Sequence, residues 1–95
     1  MPAYLLVNLV ITDPAGFEAY RVQVAPLVAR HGGRYLVRGG SWERLEGTWT
    51  PGRIVVLEFP DRARARAFYD SPEYQPLKAL RQGTAAADVV LVDGV

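Results

Sequence analysis

Gly32-Gly33-Arg34-Tyr35-Leu36-Val37-Arg38-Gly39-Gly40-Ser41-Trp42-Glu43-Arg44-Leu45-Glu46-Gly47 divides the chain into two half-motifs. Glycine pairs bracket a short β-type run with an arginine at each end. Its alternation predicts an exposed or edge strand over Arg34–Arg38. Gly32-Gly33 reads as the left-handed stop of a preceding helix. The part carrying Trp42 and Trp49 reads as a long connection, with Trp42–Glu46 extended and pairing locally, and Thr50-Pro51-Gly52 as a turn.

Upstream, Tyr4–Ile11 is a nearly unbroken apolar run interrupted by Asn8, the pattern of a strand covered on both faces. Asp13 and Pro14 are a cap and a first-turn proline. Phe17, Tyr20, Val24, Leu27 or Val28, and His31 then recur at helical spacing. Pro26 falls inside this helix and is expected to kink or divide it. Downstream, Arg53–Phe59 is a second apolar strand. Pro60-Asp61 opens a helix over Arg62–Asp70, Ser71-Pro72 opens another that Gly83 closes, and Asp88–Asp93 is the last strand. The order β-α-β-β-α-β predicts an α+β fold of the ferredoxin-like kind, a four-stranded antiparallel sheet with the helices on one face. Neither the first nor the third strand has a polar face, so the uncovered side of the sheet is expected to meet a second copy in a homodimer.

The chain has 95 residues, one domain spanning 1–95, with 49 % hydrophobic residues, 22 % charged residues and a formal net charge of +1. No basic block stands out to recruit nucleic acid. There is no cysteine, which excludes disulfides, thiolate metal sites and a cysteine nucleophile. His31 is the sole histidine, so a metal centre built on several histidines of one chain is excluded as well. The N-terminus lacks the basic and apolar regions of a signal peptide, and no run approaches the ~20 apolar residues of a membrane span. A cytoplasmic protein without metal or cofactor is expected.

Asp13-Pro14, Tyr20, Gly32-Gly33-Arg34, Leu36-Val37-Arg38-Gly39-Gly40, Leu45-Glu46-Gly47, Glu58-Phe59-Pro60, Tyr69, Ser71-Pro72-Glu73-Tyr74, Ala79-Leu80-Arg81 and Val92-Asp93-Gly94 together resemble the domain-of-unknown-function 1330 family, over essentially the whole chain. The resemblance implies the dimeric α/β-barrel superfamily, in which ferredoxin-like subunits pair sheet to sheet. That superfamily includes cofactor-independent monooxygenases, haem-degrading enzymes, peroxidases, isomerases and ligand-sensing domains. The resemblance therefore implies a fold and no single activity.

Five polar side chains are candidates for a site: Arg38, Glu58, Tyr20, Asn8 and His31. A guanidinium at Arg38, beside two glycines, can hold a carboxylate or phenolate; the competing reading is a surface arginine next to a turn. Glu58 interrupts an apolar strand and must be paired or protonated. A general base is one reading and an ion pair with Arg34 across antiparallel strands is the favoured one. Asn8 can bind a ligand or satisfy backbone groups. His31 ends a helix, where its charge is favoured, and can serve as acid or base with Tyr20 and Arg38. Trp42 and Trp49 read as interface anchors. The functional expectation is a small organic molecule, anionic or aromatic, bound between helices and sheet, with cofactor-independent acid/base or monooxygenase-like chemistry as its extension. The rival is a non-catalytic dimeric module.

Overall fold

The computed structural model describes residues 1–95. Strands β1 (Ala3–Ile11), β2 (Arg34–Arg38), β3 (Arg53–Phe59) and β4 (Ala85–Asp93) form one sheet in the order β2-β3-β1-β4. All three pairings are antiparallel. Helices α1 (Pro14–Arg30), α2 (Arg62–Asp70) and α3 (Tyr74–Thr84) cover one face. This is the ferredoxin-like α+β architecture, its second helical stretch split at Ser71–Glu73.

The helix starts follow from local chemistry. Asp13 accepts from the Gly16 N–H at 3.1 Å, and Asp61 from the Arg64 N–H at 2.7 Å, each satisfying a free amide of a first turn. Ser71 Oγ accepts from the Tyr74 N–H at 3.2 Å, so the serine opens α3 from three residues away. Gly32 ends α1 at φ +78°, where only glycine is unstrained. Gly33 must also be small: a Cβ there would lie 2.6 Å from the Phe59 ring.

Three boundaries differ from expectation. Pro26 does not divide α1, which runs as one 17-residue helix. The carbonyl that proline leaves unpaired belongs to Val22, which is exposed and can bond to water, while Val24, Leu27 and Val28 anchor the helix on both sides of Pro26. Gly83 does not close α3, and β4 begins at Ala85 rather than Asp88, because Ala85–Ala87 pair with Leu9–Ile11. Pairing with a long central strand overrides the weak strand preference of alanine. Trp42–Glu46 forms no strand.

The pleat sorts the strands cleanly. Ala3, Leu5, Leu9, Leu57 and Phe59 are buried under the helices, where they join Phe17, Val24, Leu27, Val28 and Phe68 in one core. The alternate positions, among them Tyr4, Leu6, Asn8, Val10, Ile54, Val56 and Glu58, face the side that carries no helix. Cross-strand partners Leu6 and Val90 are exposed there at 40 % and 56 %, a high exposure for aliphatic strand residues.

Candidate functional site

Between helices and sheet the core is incomplete. Val55, Val7 and Val89 are cross-strand partners in one row of the helix-facing side, continued by Arg38 on β2. Leucines occupy the flanking positions Leu5, Leu9 and Leu57. The shorter valines leave a slot of about 60 Å³. Its roof comes from Phe17, Tyr20, Arg21 and Val24 of α1, Phe68 and Tyr69 of α2, and Tyr74 and Arg81 of α3.

Arg38 reaches this slot through a backbone irregularity. Simple alternation would put Arg34, Leu36 and Arg38 on one face. The pairing slips between Tyr35 and Val37, so Arg34 sits opposite Glu58 while Arg38 sits opposite Val55. This bulge turns Arg38 onto the helix side, with its Cζ 4.4 Å from the centre of the Tyr35 ring, a cation–π distance. Gly39 follows at φ +70° with Arg53 packed against it, and a side chain at 39 would displace that guanidinium. Arg21 is held by Glu18 at 2.8 Å. The Glu18 carboxyl is held below its usual range by the Arg21 hydrogen bond first, with Arg53 and Arg38 adding to the pull. Glu18, outside the lining, pairs with Arg21 and feels the charges of Arg38 and Arg53 at longer range.

Deeper in, the Tyr20 and Tyr74 hydroxyls bond to each other at 2.9 Å. Burial pushes both phenols up, and for Tyr74 it outweighs the Tyr20 hydrogen bond and the charge and hydrogen-bonding of the adjacent Arg81, which pull down. They remain O–H groups at neutral pH. Arg81 is 4 % exposed, and its Nε has no hydrogen-bond partner. The fold's ion pairs are Arg21–Glu18, Arg34–Glu58, Arg62–Asp93 and Arg66–Asp70, so Arg81 has no carboxylate partner. The side chains lining the slot include four arginines and three tyrosines besides Tyr69, but no carboxylate, imidazole or amide.

Of the five residues singled out from sequence, Tyr20 and Arg38 line the slot. The other three lie elsewhere. Glu58 faces the open side, where Arg34 Nε donates to it at 2.7 Å and holds its carboxyl below the ordinary 4.5. Asn8 shares that side, and its Oδ1 accepts from the Gly52 N–H at 2.7 Å, pinning the end of the long connection. His31 caps α1, its Nδ1 3.1 Å from the Leu27 carbonyl oxygen and its ring edge-on to Phe68. The strand period separates Glu58 and Asn8 from the slot, and the end of α1 carries His31 past it.

Sequence reasoning passed over Arg81. Its signal was present: Tyr74, Leu77, Arg81 and Thr84 share the buried stripe of α3, so an arginine occupies a core position of an amphipathic helix. The rationale for Arg53 was hidden, because only the β2–β3 register shows what it packs against.

Residues 2–95 match the model of a family described as a domain of unknown function, DUF1330. A protein of unknown function from Rhodopseudomonas palustris has a similar solved structure, with 18 % identity, TM-score 0.78, and coverage of 99 % of this chain and 82 % of that one. The cofactor-independent oxygenase SnoaB of Streptomyces nogalater is similar at 16 % identity and TM-score 0.69, covering 99 % and 93 %. A dimeric ferredoxin-like protein of unknown function from Jannaschia sp. CCS1 is similar at 16 % identity and TM-score 0.67, covering 99 % and 100 %. At these identities the likeness is one of fold. A search of curated proteins found no match. No helix is long and apolar enough to cross a membrane.

Proposed function

We propose that this chain, which belongs to the DUF1330 family, binds a small organic anion in the slot between its helices and sheet. The observation that carries this reading is the charge of the lining: an apolar slot whose charged side chains are all arginines. Apolar walls strengthen the pull of a guanidinium on an anion, and arginine cannot shed its proton to relieve the charge. Arg38 and Arg53 at the mouth attract the ligand and turn its charged end toward the slot.

The lining supplies hydrogen-bond donors and no base active at neutral pH, which supports binding over acid/base catalysis. Oxygen chemistry, the activity named for the Streptomyces protein, remains an extension resting on fold likeness. The rival reading of a purely structural module leaves the arginine-lined slot without a purpose. The test is a thermal-shift and calorimetric comparison of short aliphatic and aromatic carboxylates with their uncharged amides. Acids are expected to stabilise the protein and amides are not. Arg38→Ala is expected to weaken binding at low ionic strength, a difference that salt removes. Equal effects of acids and amides would eliminate the proposal.

We further propose that two copies associate through the open sheet faces. Val37, Val56, Leu6 and Val90 form an aliphatic row across that face, flanked by Ile54, Asn8 and Asp88 on one side and by Arg34, Glu58, Tyr4 and Val92 on the other. An apolar strip with a polar rim is the anatomy of an interface, and similar structures from Jannaschia and Thermobifida fusca are described as dimeric. Sedimentation at micromolar concentration should give twice the 10.5 kDa chain mass, reduced to the monomer by Leu6→Lys. A monomeric wild type refutes this.

A further inference from the structure

We infer that Arg81, with the Tyr20–Tyr74 hydroxyl pair, forms an inner subsite that takes the ligand's carboxylate. The ligand class is accordingly a slim, short-chain aliphatic acid that enters charge first. This rests on the reading of the slot as an anion site and specifies which end of the molecule goes in, and how large it is.

Donors at the inner end of the slot outnumber the acceptors that answer them. A guanidinium has five N–H donors and no acceptor. The two tyrosines share two hydroxyl protons, of which one lies between their oxygens. The other has no hydrogen-bond acceptor on the protein, since neither hydroxyl makes a second bond as donor. Arg81 Nε–H likewise has none. The inner end of the slot therefore leaves two donors unanswered, one phenol O–H and the Arg81 Nε–H, beside a full positive charge. A neutral acceptor such as water can meet the hydrogen bonds but not the charge. A carboxylate meets both, with two oxygens for the planar fork of arginine and lone pairs to spare for the phenol.

Burial separates Arg81 from the arginines at the mouth. Arg38 is exposed and Arg21 and Arg53 are half-buried, so water already solvates them. Arg81 is buried without a counter-ion. It lies in the last turn of α3, where the helix end contributes roughly half a negative charge, less than a full neutralisation. An incoming anion gains most where the cation has already been stripped of water, because that part of the desolvation has been met in folding.

An apolar cavity that accepts benzene measures about 150 Å³, and this slot offers about 60 Å³. An acid of about three to five carbons fits with its chain along Val7, Val55 and Val89, whereas a ring must first push the walls apart.

Butyrate, butyramide and benzoate are the probes, applied by calorimetry to the wild type, Arg81→Met and Arg38→Met. Butyrate is expected to bind the wild type more tightly than benzoate. Arg81→Met should weaken butyrate about tenfold or more, and Arg38→Met by less than about threefold. If Arg38→Met abolishes binding while Arg81→Met retains it, the inner subsite is wrong and the anion reading stands. Benzoate binding tighter than butyrate overturns the assigned size class alone. If neither acid binds better than butyramide, the anion reading falls and takes the subsite with it. A measurement on unaltered protein guards against a variant that does not fold. The Arg81 Nε–H resonance in a proton–nitrogen spectrum should move as butyrate is added, and no movement at saturation overturns the assignment.

Discussion

Replacing Arg81 by methionine should make the ligand-free protein more stable while disabling its site. Methionine keeps a long flexible stem and drops the guanidinium. The side chain stands in a position 4 % exposed, with Nε unbonded and no carboxylate partner, so folding strips a charge of water and returns little for it. Exchanging buried ionic groups for apolar ones of similar size commonly gains about 1–4 kcal/mol. The end of α3 opposes this, since a cation there is worth up to about 1 kcal/mol that methionine forfeits. A net gain of up to about 3 kcal/mol follows, and for a domain of this size each kcal/mol moves Tm by roughly 4–8 °C. The assay is a calorimetric melt in a buffer free of organic acids, repeated with saturating butyrate. Without the acid the variant should melt higher than wild type; with it, the wild type should rise and the variant should not. A variant that melts several degrees below wild type in acid-free buffer would refute the reasoning, because it would mean that the guanidinium is already well paired within the fold.

Other changes test the remaining parts. Val7→Leu adds a methylene to the slot floor and should leave stability within about 1 kcal/mol while blocking the acids, as a binding titration will show. Asn8→Ala removes the acceptor for the Gly52 N–H; a loss of about 1–2 kcal/mol and faster hydrogen exchange at Gly52 are expected. Glu58 is held below its ordinary value of 4.5 chiefly by Arg34, so the pair stabilises the fold above that pH and the benefit is lost as pH falls through the lowered value. Glu58→Gln should therefore flatten the acid decline of Tm below about pH 5, and a decline as steep as that of wild type would contradict the pairing.

The pairing of Arg34 with Glu58 is legible in the sequence, because antiparallel strands joined through the long connection bring these opposite charges onto one face. Arg38 shows where such reading stops. Alternation assigns it to the face of Arg34, and only the slip between Tyr35 and Val37 turns it to the helices. A bulge depends on how two strands twist together, and the local sequence carries no separate mark of it. Glu58 and Asn8 were conspicuous because a polar group in an apolar strand demands a partner. Their partners, Arg34 and the Gly52 amide, come from segments distant in sequence.

By itself the sequence determined the order of elements, the caps at Asp13 and Asp61, the glycine stop at Gly32, and two strands with no polar face. Each of these rests on preferences of a few neighbouring residues, so each can be read locally. Tertiary structure alone decided that a valine row under larger aromatics leaves a slot, and that Arg38 and Arg53 meet at its mouth. It also left Arg81 without a counter-ion. Cavities and unpaired charges are properties of what several distant segments fail to fill or neutralise, and they exist only once those segments are packed together.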